Sequence, residues 1–251
     1  MFIVFDLVFF IYSIIYLPYL VLTKRWHKDF IQRFGLFPTN LEVKIASQEN
    51  VWIHAVSVGE VTAIEGFIHQ LRKRRPDLNI VLTVTTKTGY ELAKTRFRDI
   101  ATVIAAPLDF SATVKTFAEM IKPRVYIAAE TEIWPNLFGR LYKNGVPIAI
   151  INGRISDRSY GRYQKIKFLL KPVLNQVSIF AMQSEGDKER IINLGAPIQR
   201  VVNVGNIKFD GLSIKEAAAP RFGLNPATPI LIAGSTHSGE EKIILDAYKA
   251  I

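Results

Sequence analysis

The sequence predicts an α/β protein built on a doubly wound parallel sheet. Short apolar runs rich in β-branched residues recur along the chain, and most are followed by apolar residues at helical spacing. Glycine and other turn residues separate the two kinds of segment. This alternation is typical of a parallel sheet covered by helices on both faces. Apolar residues make up 49% of the 251 positions, enough for a sizeable core. The length permits one large domain or two small ones.

Residues 1–23 predict an N-terminal membrane anchor. Residues 2–22 are almost wholly apolar, and a spanning helix needs roughly 20 such residues. Asp6 would cost about 3 kcal/mol at the centre of a bilayer, so a helix lying in the membrane surface is the alternative. Cations follow the helix and none precede it, which places the bulk of the chain in the cytoplasm. These cations are Lys24, Arg25, Lys28 and Arg33.

Seven strands are predicted in one Rossmann-like domain over residues 24–214. The first begins at Val51, and the others cover residues 80–86, 102–106, 124–129, 147–152, 178–183 and 200–205. Residues 215–229 are rich in alanine and proline and predict a linker. A further strand from Pro229 to Ala233, a turn of small residues and a helix from Glu240 then predict the start of a second Rossmann-like domain, which makes 215–251 a separate unit.

The first strand–turn–helix unit carries the strongest candidate for catalysis. Glu60 follows the strand and the turn Ser57-Val-Gly59, at the start of a helix. Ligands of doubly wound sheets bind outside the carboxyl ends of the strands, where a carboxylate can act as a general base. The alternative is a cap that favours the positive end of the helix.

Other charged residues follow later strands and belong to the same predicted edge. Glu130 and Glu132 follow the fourth strand, and Lys208 follows the seventh. Acidic groups facing a lysine in a cleft suit glycosyl transfer from a nucleotide sugar, because one carboxylate takes a proton while the other groups stabilise developing charge. Each residue, taken alone, is equally compatible with a cap or a surface ion pair.

The formal net charge of +10 calls for an anionic partner, either nucleic acid, a phosphorylated substrate or a membrane surface. Arg154, Arg158 and Arg162 recur at helical spacing and would present guanidinium groups to phosphates. The apolar N-terminus favours an anionic lipid over nucleic acid. The chain has no cysteine and four histidines, none paired at metal-ligand spacing, so no metal or other cofactor is predicted.

Seven ordered motifs resemble the 3-deoxy-D-manno-octulosonic acid (Kdo) transferases of lipopolysaccharide assembly. They cover nearly the whole chain and comprise His54-Ala-Val-Ser-Val-Gly-Glu60, Thr83-Val-Thr-Thr-Lys-Thr-Gly89, Glu130-Thr-Glu-Ile-Trp-Pro-Asn136, Asn152-Gly-Arg-Ile-Ser156 with Arg158-Ser159, Gln183-Ser184 with Asp187, Gly205-Asn-Ile-Lys-Phe-Asp210, and Ala233-Gly-Ser-Thr-His-Ser-Gly-Glu-Glu241.

This resemblance implies two Rossmann-like domains in the GT-B arrangement at the cytoplasmic face of the inner membrane. It implies inverting transfer of Kdo from CMP-Kdo to a lipid A precursor, lipid IVA, without a metal. Glu60 would be the proton acceptor, and Glu130 and Lys208 would stabilise the transition state. Ser235, Thr236 and His237 would bind the donor, and Arg154, Arg158 and Arg162 are the candidates for binding the acceptor.

The family's second domain continues past Ile251, so the chain resembles a truncated form that we expect to be inactive by itself. Two alternatives stay open. One is another GT-B glycosyltransferase with a lipid acceptor and a different donor. The other is a module without enzymatic activity that binds anionic lipid or nucleic acid through its arginines.

Overall fold

The computed structural model describes residues 2–22, 29–46, 48–209 and 231–249. The chain divides into two compact units, Met1–Gly211 and Leu212–Ile251. The strands are β1 (Asn50–Ala55), β2 (Asn79–Val84), β3 (Ala101–Ala105), β4 (Pro123–Ala129), β5 (Ile148–Gly153), β6 (Ile179–Met182) and β7 (Val201–Asn203). The helices are α1 (Phe2–Leu22), α2 (Thr39–Ala46), α3 (Val58–Ala63), α4 (Glu65–Arg74), α5 (Lys87–Arg96), α6 (Ser111–Ile121), α7 (Pro135–Lys143), α8 (Asp157–Lys165), α9 (Lys167–Leu174), α10 (Glu185–Asn193) and α11 (Glu240–Lys249).

The seven strands form one parallel sheet in the order β3-β2-β1-β4-β5-β6-β7. The first strand pairs on both sides, since Ile53 lies opposite Leu82 of β2 and opposite Ile127 of β4. The chain order therefore changes direction between β1 and β4. In sheets of this kind that change marks the crevice where ligands bind. The predicted parallel α/β sheet is confirmed.

An apolar cluster covers each face of the sheet, and successive residues of β1 alternate between the two. Trp52 belongs to one cluster, where its ring stacks on Phe117 at a centroid distance of 6.0 Å and meets the edge of Tyr126 at 5.2 Å. Ile53 belongs to the other, together with Ile68 of α4. Burying one large apolar side chain stabilises a fold by about 1.5–3 kcal/mol. The two clusters thus hold the sheet in place from both faces.

Asp6 ties the N-terminal helix α1 to the sheet domain. Its Oδ1 accepts hydrogen bonds from the backbone N–H of Ser111 at 2.8 Å and from the side-chain amide of Asn136 at 2.9 Å. The Ser111 hydroxyl donates to Oδ2 at 2.5 Å. Ser111 begins α6, so the carboxylate satisfies a free donor at the positive end of that helix. The carboxylate of Asp6, which would be costly inside a bilayer, therefore has hydrogen-bond donors within the domain.

Across the described ranges, no helix is both long and apolar enough to cross a membrane. The spanning anchor expected from residues 1–23 is therefore not supported, although its helical conformation is confirmed by α1.

The second unit is described over residues 231–249 only. Its predicted helix is present as α11, but residues 231–233 of the predicted strand have no regular structure. Leu231 and Ile232 are 62% and 83% exposed. A strand needs a partner for its backbone groups, and the described residues of this unit contain no second strand. The predicted linker, residues 215–229, and the first two positions of that strand lie outside the described ranges.

Candidate active site

The chain segments that follow β1 and β4 meet where the sheet changes direction. Glu60 lies in α3, directly after β1, and Glu130 directly follows β4. The negative charge of Glu130 lies close enough to raise the pKa of the Glu60 carboxyl. Two acidic groups distant in sequence therefore share one part of the crevice, as expected for adjacent strand ends.

Glu60 is a buried carboxylic acid that turns back on its own helix. It is only 6% exposed. Its Oε2 accepts a hydrogen bond from the backbone N–H of Val56 at 2.6 Å, and its Oε1 accepts one from the Ser57 hydroxyl at 3.1 Å. Burial is the largest influence on its pKa and raises it from 4.5 to about 7, against the lowering effect of the Val56 bond. Glu60 thus ties the first turn of α3 to the segment before it and also titrates near neutral pH, where a general base works well.

Glu130 adopts a left-handed backbone conformation, with φ of 59°. A non-glycine residue rarely takes this conformation, and such positions cluster at functional sites. The backbone N–H of Glu130 still donates to the carbonyl of Ile151 at 2.8 Å, so the sheet edge is intact up to this residue. Asn152, at the end of the neighbouring strand β5, has the same conformation, with φ of 56°.

Lys208 reaches Glu130 from a short 3₁₀ turn, Ile207–Phe209, that follows β7. Its Nζ lies 3.9 Å from Oε1 of Glu130. The turn is held by Asn152, whose Oδ1 accepts a hydrogen bond from the Ile207 N–H at 3.2 Å. The structure therefore brings Glu60, Glu130 and Lys208 to one edge of the sheet.

A cavity of about 310 Å³ opens beside this group and contains Glu132 in its wall. Burial, followed by the charges of Glu60 and Glu130, raises the pKa of the Glu132 carboxyl to about 8. The remaining wall is polar apart from one aromatic ring. It is formed by Glu130, Thr131, Arg154, Ser156, Ser159 and Tyr163.

Three aromatic rings, of which those of His54 and Tyr126 are buried, pack against one another in this region. The ring of His54 lies 6.5 Å from that of Tyr126 and meets the edge of Trp134 at 5.5 Å. Burial, and secondarily the charge of Arg33, lowers the pKa of His54 to about 3, so this imidazole is neutral. Its Nδ1 lies 2.9 Å from the hydroxyl of Thr83. Within the described ranges, His54 Nε2, the Tyr126 hydroxyl and Trp134 Nε1 have no hydrogen-bond partner.

The three arginines expected to bind the acceptor do not lie on one helical stripe. Ser156 caps α8 by accepting a hydrogen bond from the N–H of Ser159 at 3.3 Å, so the helix begins at Asp157. Arg154 therefore precedes the helix and lines the cavity. Arg158 and Arg162 follow one another on α8, and both are exposed.

The residues expected to bind the donor lie in the second unit, at the start of α11. The Thr236 hydroxyl donates to Glu241 at 2.7 Å, and the backbone N–H of His237 donates to Glu240 at 2.9 Å. Ser235 has a left-handed φ of 58°. These contacts end the loop and cap the helix.

Sequence reasoning missed His54, Tyr126, Trp134 and Tyr163 as parts of this region. His54 and Trp134 lie inside two of the seven sequence motifs. Their position beside the carboxyl groups depends on which strands are neighbours in the sheet, and the pattern of apolar residues does not give that strand order. No group of three or more His, Asp or Glu side chains is placed to hold a metal ion in the part of the chain that the structure describes.

Comparison with known proteins shows which family the chain resembles. Residues 28–211 match the model of the family described as 3-deoxy-D-manno-octulosonic-acid transferase (kdotransferase). A bifunctional glycosyltransferase/methyltransferase of Fusobacterium nucleatum is 41% identical over 214 residues, which are 82% of this chain and 33% of that protein. A 3-deoxy-D-manno-octulosonic acid transferase of Haemophilus influenzae is 34% identical over 235 residues, 92% of this chain and 54% of that protein.

The chain thus spans about half or less of the length of these curated relatives. Among solved structures, a putative UDP-N-acetylglucosamine 2-epimerase from Listeria monocytogenes superimposes with a TM-score of 0.50 at 9% identity, covering 65% of this chain and 46% of that chain. At this identity the likeness concerns the fold alone.

Proposed function

Because the chain belongs to the 3-deoxy-D-manno-octulosonic-acid (Kdo) transferase family, we propose that it serves Kdo transfer in lipopolysaccharide core synthesis. The donor is CMP-Kdo, and the acceptor is a hydroxyl of a lipid A precursor such as lipid IVA. The transfer inverts the configuration at the anomeric carbon. The first unit, Met1–Gly211, supplies the acceptor side and the catalytic carboxylates.

The observation that carries this proposal is the state of Glu60. A buried carboxyl whose pKa is about 7 is ionised in a substantial fraction of molecules at neutral pH, yet it is a stronger base than an exposed glutamate. It lies where the sheet changes direction, which is where ligands of this fold class bind.

In the proposed step, Glu60 removes the proton of the acceptor hydroxyl while that oxygen attacks the anomeric carbon of Kdo. A new carbon–oxygen bond forms to the acceptor. The bond between the anomeric carbon and the phosphate of CMP breaks, and the phosphate oxygen leaves with the electron pair. One proton ends on Glu60, and the products are the extended glycolipid and CMP.

Lys208 and Glu130 stabilise the charges that develop during this step. Positive charge grows on the sugar and negative charge grows on the departing phosphate, so a cation and an anion held together can each face the opposite sign. The separation of 3.9 Å between Lys208 Nζ and Glu130 Oε1 is loose enough for both groups to retain contact with a substrate.

On the donor side, we propose that Ser235, Thr236 and His237 receive the phosphate of CMP. They lie at the positive end of α11, where backbone N–H groups and the helix dipole favour an anion. Their side chains add a donor at each of three successive positions.

We also propose that the chain works at the cytoplasmic face of the inner membrane. Four apolar side chains of α1, Leu7, Phe10, Ile11 and Ile14, are each 57–60% exposed. The exposed cations of α8 and α9 add attraction for anionic headgroups, each contributing about 1 kcal/mol near such a surface. Apolar contact and charge together would hold the enzyme next to its lipid acceptor.

The test is transfer of Kdo from CMP-Kdo to a lipid A precursor by the whole enzyme, comparing Glu60→Gln with the wild type. Glu119→Gln, a change at an exposed site on α6, is the matched control. Loss of transfer in the first variant alone supports the proposal. A wild-type enzyme that transfers a different sugar would favour another lipid-acceptor glycosyltransferase. Retained lipid binding with no transfer by the wild type would favour a module without enzymatic activity.

A further inference from the structure

The cavity beside β4 is lined by two charged side chains that have no role in the proposed transfer step. Glu132 and Arg154 both line it, and neither side chain forms a hydrogen bond or an ion pair within the described ranges. Only the backbone N–H of Arg154 is engaged, with the hydroxyl of Thr131 at 2.9 Å. A free guanidinium and a free carboxyl group in one polar cavity are therefore available to a ligand.

The carboxyl groups of Glu60, Glu130 and Glu132 lie close together, and they differ in the hydrogen-bond donors and cations that surround them. Glu130 has a cation, Lys208, at 3.9 Å. Glu60 has the N–H of Val56 at 2.6 Å and the hydroxyl of Ser57. Glu132 has no such donor within the described ranges and is close enough to feel the charges of both other carboxylates. Since adjacent like charges cannot all be ionised without a large cost, the proton belongs on the group with the least support.

We propose that Glu132 binds ligand as a neutral carboxylic acid, donating a hydrogen bond to an oxygen of a phosphorylated sugar whose phosphate is held by Arg154. This rests on the proposed function and deepens it, since the sugar would be part of the glycolipid acceptor. Arginine binds phosphate through two parallel hydrogen bonds. The hydroxyls of Ser156 and Ser159 and the ring of Tyr163 complete a wall suited to a sugar.

The electrostatic surroundings of Glu132 agree with a neutral acid. Burial and the neighbouring carboxylates raise its pKa to about 8. Burial, followed by the charge of Glu132, raises the pKa of the Tyr163 and Tyr126 hydroxyls, so both phenols stay neutral and add no charge beside the carboxyl group. The groups facing it are Glu60 from α3, Tyr126 from β4, Glu130 directly after β4, Arg154 after β5, Tyr163 from α8 and, through Glu130, Lys208.

The direct test is binding of glucosamine 1-phosphate to the 251-residue chain, followed by NMR between pH 6 and pH 9. The wild type should bind at pH 6–7 and lose about tenfold in affinity for each pH unit above the pKa of Glu132. Glu132→Gln keeps a donor of the same shape, so it should bind within about threefold of the wild type at pH 7 and stay flat to pH 9. Glu132→Ala should bind more than tenfold more weakly at every pH.

Glucosamine without phosphate should bind more weakly and respond little to Arg154→Gln, and inorganic phosphate should respond to Arg154→Gln but not to Glu132→Ala. If Glu132→Gln is as damaging as Glu132→Ala, the acid must be ionised and the proposal is wrong. Normal binding by Glu132→Ala, or no binding of the probe by the wild type, overturns it too. Thermal unfolding of each variant is the control for whether the fold is kept.

Kinetics of the whole enzyme separate this inference from the proposed function. If Glu132 acts through acceptor binding, Glu132→Ala raises the KM for the acceptor more than it lowers kcat. If no Kdo is transferred but the binding pattern holds, the proposed function fails and the role of Glu132 stands. If Kdo is transferred but binding of the probe does not change when Glu132 is replaced, the proposed function stands and the role of Glu132 fails.

Discussion

Lys208 Nζ lies 3.9 Å from Glu130 Oε1, so an ion pair joins the end of the fourth strand to the turn after the seventh. The two side chains are 47% and 30% exposed. A pair this open stabilises a fold by less than about 1 kcal/mol. We therefore expect its placement near Glu60 to affect the proposed chemistry more than the stability of the fold.

The first prediction follows from that contrast. Lys208→Met should change the free energy of unfolding by less than about 1 kcal/mol, yet lower kcat by about 10²–10³, because a charge that stabilises the transition state is lost. Kdo transfer and chemical denaturation are the two measurements. Lys188→Met removes a lysine from another surface pair, with Glu185, whose side chains are 31% and 63% exposed, and it should leave turnover unchanged and stability within the same limit of about 1 kcal/mol. Loss of stability without loss of turnover would assign the ion pair a purely structural role.

The second prediction concerns pH. The pKa of Glu60 is about 7 in the folded chain and 4.5 in an ordinary setting, so the folded state holds the proton more tightly. The stability from the neutral form is fully present below pH 4.5 and is lost as the pH rises to about 7, a loss of about 3 kcal/mol.

Glu60→Gln removes this titration. Relative to the wild type, the variant should therefore gain stability between pH 5 and pH 8, while kcat falls by about 10²–10⁴. Thermal unfolding at several pH values measures the first effect and Kdo transfer the second. The exposed change Glu119→Gln should show no such trend. A difference between Glu60→Gln and wild type that does not vary with pH would mean that Glu60 is already ionised at pH 5.

A third prediction concerns Asp6. Asp6→Ala leaves the N–H and hydroxyl of Ser111 and the amide of Asn136 without their acceptor, which should destabilise the chain by about 1–3 kcal/mol. Protease cleavage within α1 should also become faster, because the helix is released from α6 and α7. Asp99→Ala, an exposed change, serves as the control. Unchanged cleavage would show that apolar contacts alone hold α1.

A fourth prediction concerns the membrane. Replacing both Leu7 and Ile14 by Gln removes apolar area from the exposed face of α1, so flotation with vesicles should weaken about tenfold, for neutral and anionic lipid alike. Replacing Arg158 and Arg162 by Gln should weaken binding to anionic vesicles only, by about 2 kcal/mol for the pair. Tyr142→Gln, at a side chain 59% exposed on α7, is the control. Equal binding of all variants would remove the proposed membrane surface.

Much of the fold could be predicted from the sequence, because strands of a parallel sheet are buried on both faces and give continuous apolar runs. All seven strands of the first domain were found in this way, and the placement of Glu60, Glu130 and Lys208 after strands implied a shared edge. The predicted strand at residues 229–233 failed over its described residues, since an apolar run forms a strand only when another strand pairs with it.

The electrostatic state of the site could not be predicted in the same way. The pKa of Glu132 depends on burial and on Glu60 and Glu130, which come near it only because β1 and β4 are neighbours. Likewise, Arg154 looked like part of a helical stripe until the cap at Ser156 set the first turn of α8. In the sequence, Asp6 is a charged residue that interrupts an apolar helix. Its hydrogen-bond partners, Ser111 and Asn136, are more than 100 residues away and become neighbours only in the folded chain.

The hydrogen bonds from Val56 and Ser57 to Glu60 have a consequence for how the catalytic cycle closes. If Glu60 takes up the proton of the acceptor, the first turn of α3 loses a negative charge that favours the helix dipole, and the bond from Val56 becomes weaker. Both effects favour giving the proton back to water once the products leave. The pKa of about 7 keeps that return close to free-energy balance at neutral pH. If Glu60 is the base, as we propose, the first turn of α3 would thus help to return it to the ionised form after each turnover.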